Sequence, residues 1–376
     1  MIYLDCAATS LQKPAAVAEA SSRAMRTLAS PGRGGHAPAM LAAKTAFECR
    51  SELAEMFGAG EPERVVFTMN ATHGLNIAAN ALVRPGDRVV TSGWEHNSVM
   101  RALKLKNADT VVADSHLFDT AGTLEAFRRA IPGASAVFCT HVSNVFGFVL
   151  PIEEIAVLCR REGVPLVVDA SQSAGTLPLD FEALGAEFIA MPGHKGLLGP
   201  QGTGVLLCRR PGTPLMAGGT GSNSRSADMP DILPDCYEAG THNITGIAGL
   251  LEGARYVRRR GLSAIREHET ALARQMIREL GANDAIELFA SDDERTQTGV
   301  LSLRARGMGC EELGAVLGER GVAVRAGLHC APLAHSSAGT LDTGTVRLSF
   351  SPFNTALEVT RAAREIKKAV AEERER

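Results

Sequence analysis

Short apolar runs alternate with amphipathic segments between residues 65 and 208. Seven runs read as strands buried on both faces, because nearly every position in each is apolar. The segments between them, such as 75–82, 123–130 and 152–161, have helical spacing. The predicted strands are 65–68, 88–92, 110–113, 136–140, 166–169, 188–191 and 204–208. This alternation predicts an α/β fold whose mostly parallel seven-stranded sheet is covered by helices.

The pattern changes after residue 208. Residues 211–235 are rich in Gly, Pro, Ser and Asn and predict a long surface loop. Two long helices are predicted next, followed by a smaller α+β part with strands at 299–304, 322–325 and 345–350 and helices at 311–320 and 356–370. We therefore expect a large domain over residues 15–250 and a small domain formed by residues 1–14 and 251–376. The long helices are expected at 244–260 and 262–280.

Composition narrows the class of protein. The chain has 376 residues, which is enough for one large and one small domain, and its net charge of −3 argues against a nucleic-acid partner. The first residues lack the pattern of a signal peptide, and no apolar run reaches the length of a membrane span. The eight cysteines form no C-x-x-C pair, so no metal site is expected. These features favour a cytoplasmic protein in a reducing compartment.

Two charged residues follow neighbouring predicted strands. Lys195 lies just after the strand that ends at Met191, between glycines that let the backbone approach a ligand closely, and Asp169 closes the strand 166–169. Ligands of open sheets bind at the carboxyl ends of the strands. A lysine that forms a Schiff base and an acid that faces a pyridinium nitrogen are what pyridoxal 5′-phosphate requires. The alternative for Asp169 is an ordinary helix cap.

Other polar residues are expected in the same crevice. Residues 70–74 open a helix with small and hydroxyl side chains, which suits a phosphate, although Thr72 could be an ordinary cap. His194 is placed to reach the same phosphate. Gln172 can bond the phenolic oxygen of the ring, and His96 can stack on the ring or serve a structural role.

Cys330 follows a predicted strand in the small domain. The default interpretation is a buried, inert thiol, but Arg325 and His329 lie beside it in a predicted loop and can favour the thiolate. Arg347 interrupts an apolar strand and needs a partner. That partner is either a carboxylate of the protein or the carboxylate of a substrate.

Taken together, these segments resemble the class V aminotransferase family, and within it the branch of cysteine desulfurases and selenocysteine lyases. The resemblance begins with the stretch Tyr-Leu-Asp-Cys-Ala-Ala-Thr at residues 3–9 and extends almost to the C-terminus. It includes segments 70–74, 95–96, 143–144, 169–172, 193–195, 238–241, 325–330 and position 347. The motif at 325–330 is similar to that of group II desulfurases, whose cysteine lies on a short loop. The family implies a fold-type I transferase fold.

The resemblance also implies roles for individual residues. Lys195 would form the Schiff base and move protons, and Cys330 would accept sulfur. The remaining cofactor contacts would come from Asp169, Gln172, His96, Ala71, Thr72, His194 and Asn144. The substrate would be held by Arg347, Asn144, Ala8 and Arg325. Thr241 would reach the phosphate of a partner subunit, which implies a homodimer. The implied reaction converts L-cysteine to L-alanine, and a sulfur-acceptor protein, for example in iron–sulfur cluster assembly, would take the persulfide.

Several positions depart from the family pattern. Cys6 replaces the usual asparagine, Leu328 replaces a histidine, and Pro192 replaces a residue that often binds phosphate. Ala71 and His73 also differ from the usual residues. The alternatives are therefore selenocysteine lyase or another β-lyase, a transaminase or epimerase of the same family, and an inactive scaffold protein.

Overall fold

The computed structural model describes residues 1–31, 34–222 and 225–374. Within these ranges the strands are, in chain order, β1 (Ile2–Tyr3), β2 (Val65–Thr68), β3 (Arg88–Ser92), β4 (Asp109–Ala113), β5 (Ala136–Thr140), β6 (Leu166–Asp169), β7 (Phe188–Pro192), β8 (Gly204–Cys208), β9 (Ile286–Phe289), β10 (Val300–Ala305), β11 (Val322–Ala323), β12 (Arg325–Gly327) and β13 (Thr345–Ser349). The helices are α1 (Ala15–Thr27), α2 (Ala37–Met56), α3 (Ala71–Leu82), α4 (Asn97–Leu105), α5 (Thr120–Ala130), α6 (Ile152–Glu162), α7 (Phe181–Leu184), α8 (Ile244–Arg260), α9 (Leu262–Leu280), α10 (Cys310–Glu319), α11 (Pro332–Ser337) and α12 (Ala356–Arg374). A 3₁₀ turn spans Pro62–Arg64.

The large sheet has seven strands in the order β2-β8-β7-β6-β5-β3-β4. Neighbouring strands from β7 through β4 are parallel, whereas β8 is antiparallel to both β7 and β2. The predicted mostly parallel, seven-stranded sheet is therefore confirmed, with small changes in bounds at β4 and β7.

Alternate residues of six of the seven strands enter two separate cores, whereas the edge strand β4 is partly exposed, so its predicted burial on both faces was wrong. Val90 and Ile189 pack with α2, α5 and α6, whereas their neighbours Val89 and Phe188 pack with α3 and α4. Because helices cover both faces, these strands read as continuous apolar runs rather than as alternating ones.

The C-terminal part contains a four-stranded antiparallel sheet in the order β12-β13-β10-β9. The N-terminal strand β1 returns to this part and pairs in parallel with β11. The single strand predicted at 322–325 was wrong: β11 ends at Ala323, and β12 begins at Arg325 and pairs with β13 instead. Each of these strands has only two or three residues, which is too short to leave a periodic signal.

Two packing arrangements bear on the predicted division into a large and a small domain. Leu4 is buried in the core formed by α9, α12 and the four-stranded sheet. The expected boundary at residue 250 falls inside α8, which packs along α1 and α2. The division into 15–250 and the remainder stays a prediction.

Between β8 and α8, the described residues form turns and bends without a helix or strand, as the predicted loop 211–235 requires. Asn223 and Ser224 of this loop lie outside the described residues. The helices of the described part of the chain lack the continuous apolar length needed to cross a bilayer.

Candidate active site

A cavity of about 200 Å³ opens at the carboxyl ends of β5, β6 and β7. Nine predicted site residues line it: Ala8, Ala71, Thr72, His96, Asn144, Asp169, Gln172, His194 and Lys195. Sequence reasoning missed other lining residues, among them Ser98, Thr140, Val142 and Ser171. Four predicted residues lie outside this lining: Thr241, Arg325, Cys330 and Arg347.

Lys195 lies in the turn that follows β7. Burial lowers the pKa of its amine to about 8, with Asp169 acting in the opposite direction and Arg347 and Arg325 adding to the lowering. Roughly a tenth of such an amine is neutral at pH 7. A neutral amine is the form that reacts with a carbonyl group.

The glycines beside Lys195 serve packing within the protein, which corrects the expectation that they admit a ligand. A Cβ at Gly193 would lie 2.1 Å from the Thr203 hydroxyl. A Cβ at Gly196 would lie 2.3 Å from the carbonyl oxygen of Ala174. The turn that carries Lys195 is therefore pressed against its neighbours, and this close packing holds the lysine in place.

Asp169 is buried at the end of β6 and lies on the cavity wall. Its Oδ1 accepts a hydrogen bond from the backbone N–H of Ser171 at 2.9 Å. Turns rather than a helix follow, so the helix-cap alternative was wrong. Gln172 Nε2 donates to the carbonyl of Ala7 at 3.0 Å, which brings the N-terminal segment to the crevice.

The first turns of α3 and α4 meet at one end of the cavity. Asn70, not Thr72, caps α3 by accepting from the N–H of His73 at 2.9 Å. The Thr72 hydroxyl is instead hydrogen-bonded to the Ser98 hydroxyl at 2.8 Å. Two helix N-termini and two hydroxyl groups form a suitable anion site. The sequence signal for Ser98 was its place in the first turn of a helix after a strand.

Two histidines on the cavity wall are neutral. Burial lowers the pKa of His96 and of His194 to about 4 in each case. The Nδ1 atom of His96 accepts from the N–H of Ser98 at 3.0 Å, which fixes the ring at the start of α4. The Nδ1 atom of His194 is hydrogen-bonded to the Thr9 hydroxyl at 3.0 Å, which leaves its Nε2 for a ligand.

Arg347 is 2% exposed and is held by the protein itself. Its Nη2 donates to Asp5 Oδ1 at 2.7 Å and its Nη1 donates to the Asn144 carbonyl at 2.9 Å. Of the two partners left open by the sequence, the protein carboxylate is the one present. The buried Nε of Arg347 and the buried Oδ1 of Asn144 have no hydrogen-bond partner within the described residues.

Cys330 is exposed on the loop after β12. Its carbonyl accepts from the N–H of Asn97 at 2.8 Å, directly beside His96. The loop is therefore attached to the edge of the crevice. His329 is buried and burial lowers its pKa to about 3, so its ring is neutral. His329 therefore does not favour the Cys330 thiolate through charge, and the same role for Arg325 stays a prediction.

Thr241 lies away from Lys195 within one chain. It is exposed and lines a separate pocket with Met69, His73, Glu238 and His242. Its role toward a partner subunit stays a prediction.

The chemistry of these residues fits pyridoxal 5′-phosphate. The meeting point of α3 and α4 suits its phosphate, Asp169 suits its ring nitrogen and Lys195 suits its aldehyde. The unpartnered amide oxygen of Asn144 supplies a further acceptor on the wall of the cavity. A buried polar atom without a partner is costly unless a ligand satisfies it.

A mostly parallel sheet with this strand order, and with lysine and aspartate at adjoining strand ends, defines a fold-type I transferase. The family model of class-V aminotransferases matches residues 2–362. The chain belongs to the class-V aminotransferase family.

Relatives and solved structures agree with this assignment. A probable cysteine desulfurase from Methanothermobacter thermautotrophicus is 33% identical over 95% of this chain and 92% of the relative. A probable cysteine desulfurase from Aeropyrum pernix is also 33% identical, over 96% of this chain and 93% of the relative. The apo structure of a cysteine desulfurase from Thermococcus onnurineus has a TM-score of 0.90 at 31% identity, covering 99% of this chain and 95% of the other. The structure of a cysteine desulfurase from Escherichia coli has a TM-score of 0.86 at 26% identity, covering 98% of this chain and 94% of the other.

Proposed function

We propose that the protein is a pyridoxal-phosphate-dependent cysteine desulfurase, which converts L-cysteine to L-alanine and retains the sulfur as a persulfide on Cys330. The observation that carries this proposal is the hydrogen bond from the N–H of Asn97 to the Cys330 carbonyl. Asn97 directly follows His96, which lies on the cavity wall. It attaches the cysteine loop to the crevice that holds Lys195 and Asp169. The names of the relatives support the same reaction.

The cofactor would be held by residues already on the cavity wall. The amides and hydroxyls at the starts of α3 and α4, with His194, would bind its phosphate. Asp169 would keep its ring nitrogen protonated, since opposite unit charges about 3–4 Å apart attract by roughly 4–6 kcal/mol at an effective dielectric of 20. Gln172 and Asn144 would contact the ring substituents, and His96 would lie against the ring. When bound, the cofactor supplies an electron sink for the bond that breaks at Cα of the substrate.

The substrate carboxylate would be recognised by two arginines. Arg325 and Arg347 are direct cross-strand partners in β12 and β13. Residues opposite each other in a sheet present their side chains to the same side. Arg325 is exposed, whereas Arg347 is already paired with Asp5. We therefore assign the outer contact to Arg325 and the inner contact to the unpartnered Nε of Arg347, with Ala8 and Asn144 bordering the substrate.

Lys195 and Cys330 divide the chemistry between them. Lys195 would take the proton from Cα of the substrate, because its lowered pKa keeps a neutral fraction available. The Cys330 thiolate would then attack the substrate sulfur. A sulfur–sulfur bond forms on Cys330 and the bond from sulfur to Cβ breaks. The three-carbon fragment keeps that electron pair, takes up a proton at Cβ, regains its Cα proton from Lys195 and leaves as alanine.

The most direct test of the reaction class is product analysis with L-cysteine, cysteine sulfinate and selenocysteine, each with and without a thiol reductant. The proposal predicts alanine from L-cysteine, with sulfide released only when reductant is present. Strong preference for selenocysteine would favour a selenocysteine lyase. Accumulation of pyridoxamine phosphate would favour a transaminase, and a protein that acquires no colour with cofactor would favour a scaffold role.

The titration of Lys195 provides a first quantitative prediction. In protein stripped of cofactor, competitive acetylation of Lys195 should have its midpoint near pH 8. Asp169→Asn should move the midpoint lower, because the Asp169 carboxylate raises the pKa of this amine. Peptide mass spectrometry across a pH series measures both. A midpoint close to the ordinary lysine value of 10.5 would contradict the assignment.

Each active site is proposed to need a second copy of the chain, with Thr241 reaching the partner's phosphate. Thr241→Asp should lose activity because a carboxylate repels the phosphate, whereas Thr241→Ser should retain it. Mixing Thr241→Asp with Lys195→Ala under subunit exchange should restore about a quarter of wild-type activity, since half of the dimers then carry one intact site. Absence of any recovery in dimers shown to have exchanged would exclude the shared site.

Cellular placement is proposed on chemical grounds. A reactive, exposed Cys330 requires a reducing compartment, and we propose the cytoplasm. A second protein would then take the persulfide, for example for iron–sulfur cluster assembly.

A further inference from the structure

Two residues that do not line the crevice form a hydrogen-bonded chain behind the Cys330 loop. The Thr340 hydroxyl is 2.7 Å from His335 Nδ1, and His335 Nε2 is 3.3 Å from His329 Nδ1. His329 Nε2 then meets the carbonyl oxygen of Arg325 at 3.3 Å. The two imidazole planes are nearly parallel, at 12°. This series of hydrogen bonds therefore connects Thr340 to Arg325 in β12, the strand that leads into the Cys330 loop.

The groups at the two ends determine which atom donates each hydrogen bond in this series. A carbonyl oxygen can only accept, so His329 must carry its proton on Nε2. A neutral imidazole has one donor and one acceptor, so His329 Nδ1 accepts and His335 Nε2 donates to it. His335 Nδ1 then accepts from the Thr340 hydroxyl. Burial lowers the pKa of His335 to about 4 and that of His329 to about 3, in keeping with two neutral rings.

The backbone next to His329 is in an unusual conformation. His329 and Cys330 have φ values of +51° and +56°, in the left-handed region that disfavours residues with a Cβ. Such conformations persist only where surrounding contacts impose them. Three contacts do so: the side chain of Asn144 bonds the His329 carbonyl, the N–H of Asn97 bonds the Cys330 carbonyl, and the histidine chain holds the His329 ring.

We propose that His335 and Thr340 are positioning residues, which hold His329 as the Nε2-protonated tautomer and so keep the strained Cys330 turn against the crevice. The proposal rests on the proposed function in one respect, namely that Cys330 accepts sulfur. His335 also packs its ring against Phe146, at 5.8 Å between centroids, so the chain is anchored in the core of the large sheet. Neither His335 nor Thr340 needs to touch the substrate for this role.

The test compares variants that remove one donor with variants that keep it. His335→Phe removes the donor to His329, whereas His335→Gln keeps an N–H near the same place. Thr340→Val removes the hydroxyl with little change of shape, whereas Thr340→Ser keeps it. The measurements are kcat and KM for alanine formation, hydrogen exchange of the peptides that contain Asn97 and Ala331, and histidine ¹⁵N spectra of the holoenzyme.

We expect His335→Phe to lower kcat about tenfold or more while KM for L-cysteine changes less than about threefold, because neither His335 nor Thr340 lines the crevice. Thr340→Val should move kcat in the same direction, and Gln at 335 and Ser at 340 should restore most of it. The wild-type spectra should show Nε2-protonated His329 and His335, and the Asn97 and Ala331 amides should exchange faster in His335→Phe.

Wild-type kcat in both His335→Phe and Thr340→Val would overturn the proposal, as would an Nδ1-protonated His329 in the wild type. The proposal would also be overturned if His335→Gln were no more active than His335→Phe and Thr340→Ser no more active than Thr340→Val. If His335→Phe does not fold, Thr340→Val decides, since it removes only one hydroxyl group. If the wild type forms no alanine, the proposed function fails. The histidine spectra and the amide exchange rates still test whether the hydrogen bonds from Thr340 through His335 hold His329 in place.

Discussion

Cys330→Ala is expected to abolish sulfur transfer and to leave the cofactor in place. Cys330 does not line the cavity that would hold the cofactor, and its loop is attached by backbone atoms that alanine retains. Loss of the nucleophile should lower alanine formation from L-cysteine by roughly a thousandfold or more. Absorbance spectroscopy should show the same visible cofactor band as in the wild type.

Cys310→Ala is the matched control, because Cys310 is another thiol with some solvent exposure, at the start of α10. It should retain wild-type rates. Full activity of Cys330→Ala with L-cysteine would remove Cys330 from the mechanism. Activity retained only with selenocysteine would assign the protein to the lyase alternative.

Lys195→Ala is expected to lose both the visible band of the Schiff base and the reaction. The residue is the lysine on the cavity wall, and removal of a catalytic base costs about a hundredfold to ten-thousandfold even before the covalent role is counted. The protein should still bind pyridoxal phosphate without covalent attachment, because Asp169 and the starts of α3 and α4 remain. Borohydride reduction followed by peptide mapping should label Lys195 in the wild type alone.

Lys13→Ala provides a demanding control for that result. Burial lowers the pKa of Lys13 to about 8 as well, but its amine bonds the Ser10 hydroxyl and the residue lies outside the cavity lining. It should keep the cofactor band and at least half of the activity. Labelling of Lys13 instead of Lys195 would contradict the account.

The large sheet was predictable because burial on both faces makes each of its strands except the edge strand β4 a continuous apolar run. The small strands β1, β11 and β12 were not, because two or three residues carry no periodicity and their partners are distant in sequence. Ile2 pairs with Val322, for example, and only the folded chain brings them together.

For the site, sequence reasoning identified the residues that follow predicted strands, such as Asp169 and Lys195. It missed contacts that depend on tertiary packing. The pair Asp5–Arg347 joins residues 342 positions apart, and Thr72–Ser98 joins two separate helices. The glycines near Lys195 were misread because their close neighbours are protein backbone and side chains, which a local pattern does not reveal.

The central claim is that Cys330 receives the substrate's sulfur. The decisive measurement is the mass of the Cys330 peptide after the holoenzyme reacts with L-cysteine in the absence of reductant, followed by alkylation of free thiols and persulfides. The account predicts a gain of one sulfur atom on Cys330 for each alanine formed in the first turnover, and its loss on addition of a thiol reductant. Alanine formed while Cys330 stays an unmodified thiol would contradict it.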